Sequence, residues 1–556
     1  MHPPAPQVGT VSVIVIGYND AAHVTTAVRS ALAQGPAVHE VIAVDDHSTD
    51  GSADLLSRLA ATEPRVKVVR RQVNSGGCGS PRNTGLDRVT APYVMFLDSD
   101  DVLPSGAVDA LLTAATGARA EVVSGLCVRR ELPEGLEVLW QASLYTAHAV
   151  IAHPAQRPRL VHDTLCVNKL YRIDFLRAHG IRFPEGRFPY EDLVFTARVL
   201  AAGPRIALVP DRVYVWHVRR SAGQLSISLD RAGIANWQAR TAACRLAYEI
   251  LLGAGQKGLA RAARAKFLDH ELRMYARELG LRDVHYRRAW WAHTRAYLAE
   301  YDAADWTHHP TAPGRLIGRV ILASPEPRDL PRLRELASRP ARLLPPYAHA
   351  PGGTPVWSDD LPQVTLDPLL TRPINLLPLA VDAELRLRAR GTACLRLRLY
   401  DLYDRVTQAG PEKLEVEWRR REGGGTGEGH TRVNFAPPFP LAPSVPPIPP
   451  VPLVASVDGT WVAETTVDLG ALGALGAGTW DLRLRVRFPD GAQRETTTRA
   501  VTGAGLLRRR AVVSARHAVL LVQPYATHSG ALALRVAPGL RGVMSVVRGR
   551  LRRLLH

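Results

Sequence analysis

Cysteine is scarce in this chain. The 556 residues hold five, at positions 78, 127, 166, 244 and 394, odd in number and without CxxC spacing. That scarcity argues against a disulfide framework or a cysteine-built zinc site and fits a reducing compartment. Long apolar runs are missing too. No stretch of about 18 uninterrupted apolar residues occurs, so no spanning helix is expected. The opening MHPPAPQVGT has no basic segment leading into an apolar run, so no signal peptide is expected and the predicted location is cytoplasmic. A GxGxxG turn after the first strand is absent as well. Gly17-Tyr18-Asn19-Asp20 stands there, which argues against a dinucleotide-binding oxidoreductase.

The rest of the composition is that of a folded protein, with 46% hydrophobic and 22% charged residues. The length predicts about three domains. Lys and Arg number 70 against 52 Asp and Glu, a net charge of +18. Such a surface favours anionic partners, although a general Arg-rich habit accounts for part of the excess.

The first hundred residues alternate strand and helix. Apolar runs over 11–16, 40–44, 66–69 and 93–97 read as strands, and 21–33 and 52–61 as helices. A Gly-rich loop, 74–79, opens a further helix through Leu86. Repeated strand–helix–strand units predict a parallel sheet with ligands at the carboxyl ends of its strands. From about 232 to 344 the pattern turns helical, with Trp290 and Trp291 expected in a core or an interface rather than as a ligand platform. After about 352, Leu385–Arg388, Leu395–Leu399 and Leu482–Phe488 alternate with period two, as half-buried antiparallel strands do. Gly-rich (423–429) and Pro-rich (437–452) stretches between them read as a linker or long loop. The fold class is therefore α/β, then helical, then all-β with immunoglobulin-like sandwich modules. The predicted divisions are 1–230, 231–350, 351–453, 454–538 and a basic amphipathic segment, 539–556. That last segment suits an anionic membrane surface. A helix docked on its own β domain or a disordered tail would explain it equally well, and Gly542 and Gly549 weaken it as a helix.

Three strand ends carry polar residues: Gly17-Tyr18-Asn19, Asp45-Asp46-His47-Ser48-Thr49-Asp50, and Asp98-Ser99-Asp100-Asp101. Carboxylates gathered at one sheet edge repel one another unless neutralised. A divalent cation completed by a nucleotide diphosphate would do so.

With these motifs the sequence resembles the family 2 glycosyltransferases, which have the GT-A fold. The resemblance covers about residues 10–228 and rests on 11–19, 44–52, Asn74–Gly85 (NSGGCGSPRNTG), Phe96–Asp101 and Pro189–Phe195. His47 departs from it, since the family commonly has Gly or another small residue there. The resemblance implies that Tyr18 stacks near the base and that Asp46 accepts a hydrogen bond from the uracil imide. Arg82 and Asn83 would lie along the nucleoside and phosphates. Asp98 and Asp100 would form a DxD motif, with Asp100 binding Mn²⁺ or Mg²⁺ and Asp98 holding the ribose or joining the metal shell. Asp192 would be the general base of an inverting single displacement. Its alternative is a purely structural place at the start of a helix. Arg219 and Arg220 would hold the diphosphate. His217 would join the metal or the phosphate, or be an ordinary polar residue. Cys78 reads as small filler.

A shorter resemblance, Gln523–Leu532, is to the β modules appended to bacterial teichoic-acid glycosyltransferases, where such modules support oligomerisation or polymer binding. Together these imply a hexosyl- or N-acetylhexosaminyltransferase using a UDP-sugar. The acceptor would be a glycan, a lipid-linked or a polyol-phosphate polymer of the cell envelope, met on the inner face of the membrane. Homo-oligomers are a further expectation, and nucleic acid is not an expected partner. The alternatives are a catalytically decayed sugar-binding or scaffold protein, and a nucleotidyltransferase of similar fold.

Overall fold

The structure is a computed structural model that describes residues 9–132, 135–219, 231–308, 312–388, 390–421, 448–456, 459–502, 506–514, 516–527 and 529–539. The basic segment from 540 onward, Arg220, and the Gly-rich and most of the Pro-rich stretch lie outside the described residues. The chain forms two compact units, 1–267 with 299–310, and 268–298 with 311–556.

The first unit is built on a nine-stranded sheet. In chain order its elements begin β1 (Val11–Gly17), α1 (Val24–Leu32), β2 (Val38–Asp45), α2 (Ser52–Thr62), β3 (Val66–Arg70), α3 (Gly79–Leu86) and β4 (Tyr93–Asp98). Then follow α4 (Ala107–Ala118), β5 (Val122–Leu132), β6 (Leu136–Trp140), β7 (Ala149–Ile151), β8 (Lys169–Arg172), α5 (Ile173–Ala178), α6 (Glu191–Ala201) and β9 (Ile206–Arg219). The order is β3-β2-β1-β4-β8-β5-β9-β7, with β6 beside β5. β1, β2, β3 and β4 run parallel, as the alternation of strands and helices predicts. From β1 the chain moves to β2 and β3 on one side and returns to β4 on the other. The crevice at this reversal of strand order, between β1 and β4, is where such sheets bind ligands. β1 is buried along Val11–Ile16 and emerges only at Gly17.

An aromatic cluster fixes what lies above the sheet. Phe183 stacks on Phe195 of α6 at 3.9 Å, and Phe96 of β4 meets both edge-on at 5.1 and 5.8 Å. β4 and α6 are thereby held to a common core.

The helices predicted over 231–350 are present, but they do not form a domain of their own. α7 (Ile234–Gly253) and α8 (Lys257–Lys266) belong to the first unit. α7 packs against α6. Asn236 accepts from the Tyr190 hydroxyl at 2.7 Å, and Arg240 lies 4.1 Å from the Tyr190 ring centroid. Helix Ala303–Thr307 also belongs to the first unit, whereas Val284–Leu298 and Ala312–Ala323 belong to the second. There Trp290 and Trp291 are fully buried, as expected of core residues. Among the described residues no helix is long and apolar enough to cross a membrane.

The rest of the second unit is all-β, and the period-two pattern reports it faithfully. Leu395, Leu397 and Leu399 are buried and Arg396 between them is exposed. The same holds for Trp480, Leu482, Leu484 and Val486 as a buried face. The predicted division at 453/454 is corrected, however. One sheet runs 454–455, 460–468, 392–400, 381–387, 499–500, and the other runs 448–452, 413–420, 478–487, 532–538, 518–526, 510–514 with 493–497 beside 478–487. Both sheets draw strands from either side of the division, so the two segments do not make tandem modules. Part of the Pro-rich stretch, Ile448–Pro452, is an edge strand, the place in a sheet where proline is tolerated.

Candidate active site

The loops after β1, β2 and β4 are stitched into one rim. The Asn19 amide donates to Ser48 Oγ at 2.9 Å, and Asn19 Oδ1 accepts the Thr49 amide at 2.7 Å. Asp50 accepts the Ala21 amide at 2.8 Å. Across the crevice Ser99 Oγ donates to Asp20 Oδ2 at 2.8 Å, and the Ser99 amide to the Ile16 carbonyl at 3.0 Å. A Cβ on Gly17 would come within 3.0 Å of Ser99. His47 adopts φ 67°, a left-handed conformation that glycine takes without steric cost. This is a physical reason for a small residue to be usual there. Tyr18 projects from the rim, 51% exposed.

Asp46 is only 3% exposed. Oδ1 lies 2.8 Å from Arg71 Nε. Oδ2 accepts from the Ser75 amide at 3.0 Å, Ser75 Oγ at 2.7 Å and Asn74 Nδ2 at 3.2 Å. Through Oδ2, Asp46 anchors the 74–75 part of the next loop.

Arg82 and Asn83 depart from expectation. Asn83, 1% exposed, spends its amide on the 183–185 loop. Arg82, 2% exposed, is not spread along a phosphate groove. One guanidinium nitrogen, Nη1, donates to Glu191 at 2.6 Å and to Asp192 Oδ1 at 2.8 Å. The other, Nη2, donates to Asp98 Oδ1 at 2.8 Å. Three carboxylates thus share one buried cation, which satisfies the rule that buried charges are paired.

The DxD turn is set from below. Asp101, buried, accepts from the Tyr214 hydroxyl and the His217 amide, both at 2.7 Å. Burial, then Asp100 and Asp98, push its carboxyl well above the usual carboxylate range. Asp100 faces outward with Arg219 Nη1 at 3.0 Å from Oδ2. Burial first and the Asp98 charge second push its pKa up to about 6, against the pull of Arg219. His217 turns Nδ1 to the Asp100 carbonyl at 3.0 Å, and desolvation lowers its pKa. Among the described residues no three His, Cys, Asp or Glu side chains close into a metal cluster. The expected set of Asp98, Asp100 and His217 is therefore not assembled as one.

Asp192 lies in the first turn of α6, behind Tyr190 at φ 73°. Tyr190, the residue ahead of the helix, makes no side-chain capping bond. Asp192 Oδ1 takes Arg82 and the thiol of Cys166 at 3.3 Å. Glu191 beside it is pushed up to about 7 by burial and by the Asp192 charge, against Arg82. Cys78, just ahead of α3, is pushed up by burial, which makes it a poor nucleophile.

Sequence reasoning misses the roles of Cys166, Tyr214 and Asp20. Asp20 follows a named strand-end motif and could have been found by extending it. Cys166 and Tyr214 carry no local signal.

These features, an open α/β sheet with acidic loops at its switch point, define a nucleotide-sugar-transferase architecture. The model for "Glycosyl transferase family 2" matches residues 12–180. The succinoglycan biosynthesis protein ExoO of Rhizobium meliloti (strain 1021) is 30% identical over 237 residues, 41% of this chain and 67% of that protein. The poly(ribitol-phosphate) beta-N-acetylglucosaminyltransferase TarS of Staphylococcus aureus (strain MW2) is 30% identical over 217 residues, 39% of this chain and 36% of TarS. The match thus spans about a third of TarS. The crystal structure of S. aureus TarS superposes with a TM-score of 0.52 at 17% identity, covering 95% of this chain and 85% of that one. The chain belongs to the family 2 glycosyltransferases.

Proposed function

We propose that the protein transfers a sugar with inversion from a UDP-sugar to a hydroxyl of a cell-envelope or extracellular polysaccharide, with Asp192 as general base. The observation that carries this reading is the single cation Arg82 tying Asp192 to Asp98 of the DxD turn. Base side and donor side are thereby fixed in one frame, as single displacement requires. Asp192 takes the proton of the acceptor hydroxyl. That oxygen bonds the anomeric carbon, whose bond to the diphosphate breaks with the electron pair leaving on the diphosphate.

Tyr18, exposed at the rim, suits stacking on the base. Asp98, Asp100 and Arg219 line the place for the diphosphate. The donor set fits Mn²⁺ or Mg²⁺: Asp98 and Asp100 offer two carboxylates at the turn, and hard cations accept one or two carboxylates plus phosphate oxygens. When bound, such an ion neutralises charge on the departing diphosphate. The acceptor class follows the relatives named above, which include a poly(ribitol-phosphate) transferase. The net charge of +18 suits an anionic polymer. Contact of the basic C-terminal segment with an anionic membrane and oligomerisation through the β unit belong to the same proposal.

The test is a thermal-shift screen of UDP-, GDP- and dTDP-sugars, each with Mn²⁺ and with EDTA. A Mn²⁺-dependent rise confined to a UDP-sugar is the expected result. A rise with another nucleotide alone, or none at all, overturns the donor assignment.

A further inference from the structure

Asp192 is held by one oxygen from two sides. Arg82 Nη1 and Cys166 Sγ both donate to Oδ1, at 2.8 and 3.3 Å. Among the described residues Oδ2 takes no hydrogen bond or ion pair, and the side chain keeps 24% of its exposure.

Neither donor is free to wander. Arg82 is bonded at the same time to Glu191 and Asp98 and lies 5.2 Å from the Phe183 ring centroid. Cys166 is fully buried. Its carbonyl accepts from the Tyr171 hydroxyl at 3.2 Å, and the carbonyl of Leu165 before it accepts from Lys169. The loop ahead is pinned by Asp163, which takes Trp140 Nε1 and Lys169 Nζ, both at 2.9 Å, and Asn168 Nδ2 at 3.0 Å. Buried hydrogen bonds of this number hold both donors in place.

We propose that Arg82 and Cys166 are positioning residues for the transfer step. Together they fix one oxygen of Asp192 and leave the other for the acceptor hydroxyl, and Arg82 sets the base at a fixed place relative to Asp98. The inference rests on Asp192 being the base. It replaces the donor-contact role that sequence resemblance implies for Arg82.

The experiment uses the full chain and reads two quantities: UDP affinity with Mn²⁺, and the rate of UDP release from UDP-N-acetylglucosamine at saturation. Cys166→Ala removes one donor, and Cys166→Ser keeps one. The expected result is a threefold to tenfold lower rate for Cys166→Ala at unchanged UDP affinity, restored to within twofold by Cys166→Ser. Parental rates in both variants, or no recovery with serine, overturn the role of Cys166.

Arg82→Lys cannot bridge three carboxylates in a fork. It is expected to lose at least tenfold in rate in the parent and less than twofold in an Asp192→Asn background, because groups acting as a unit are non-additive. Equal losses in both backgrounds, or a loss confined to UDP affinity, overturn the role of Arg82. A parental rate in Asp192→Asn alone marks a different failure, that of the base assignment itself.

Discussion

Asn83 is clasped to Phe183: its Nδ2 donates to the Phe183 carbonyl at 3.0 Å while its Oδ1 accepts the Phe183 amide at 2.9 Å. This two-way bond sews the Gly-rich loop and α3 to the segment leading into α6. The seam is tight, since a Cβ on Gly79 would lie 2.0 Å from the Pro184 carbonyl oxygen, and one on Gly77 2.7 Å from that of Gly186. Backbone cannot yield as a side chain can. Gly79→Ala should therefore destabilise the first unit by about 1–3 kcal/mol, read as a lower melting temperature. Gly106→Ala, where the new Cβ meets nothing within 4 Å but φ is +76°, should lose stability through backbone strain alone, about 1–2 kcal/mol.

Asp192→Asn keeps the shape of the side chain but cannot accept a proton. Turnover should fall on the order of 10²–10⁴-fold, and UDP affinity by less than about twofold. Steady-state rates with isothermal titration of UDP check both halves.

Asp100 carries the metal-linked prediction. Asp100→Ala should abolish the Mn²⁺-dependent part of UDP binding and leave the EDTA baseline unchanged. An affinity in Mn²⁺ equal to that of the parent would remove the metal role.

The same residue sets a pH dependence. Its pKa is raised to about 6, so the carboxylate needed for a cation is formed above that pH and is lost on acidification. Mn²⁺-dependent UDP binding should be roughly tenfold weaker at pH 5 than at pH 7, because metal ligands must be deprotonated. The Asp100→Ala variant should show no such slope.

The interleaved sheets predict what truncation does. A chain ending at 453 lacks 460–468, partner of 392–400, and 478–487, partner of 413–420. It should lose the β unit entirely and show increased protease sensitivity beyond about residue 350. Tandem modules would leave the first one intact.

Much of this is legible in the sequence. Open parallel sheets bind ligands at the carboxyl ends of their strands, and the polar residues at 17–19, 45–50 and 98–101 show by composition alone which loops lie at that edge. The β unit announces itself through Leu–Arg alternation. What stays hidden is partnership. Arg82 lies 110 positions from Asp192, and no local pattern tells a cation bound for phosphate from one bound for three carboxylates. The same blindness gives the wrong β boundary: alternation reports a strand's two faces but not which strand lies beside it. The groups around Asp46, namely Arg71, Asn74 and Ser75, belong to the next βα loop and carry no local signal.

The pairing of Asp382 with Arg499, 117 positions later, has a consequence during synthesis on the ribosome. The first unit's sheet is complete once β9 has emerged. The β unit cannot close until its last strand, Leu532–Pro538, leaves the exit tunnel. At about 5–20 residues per second, several seconds or more separate the birth of 381–387 from that of its final neighbours. Until 460–468 and then 499–500 follow, the paired strands 381–387 and 392–400 lack their outer neighbours. Exposed apolar surface and unpaired strand edges are aggregation-prone, so the demand for chaperones is expected to fall on the carboxyl-terminal half.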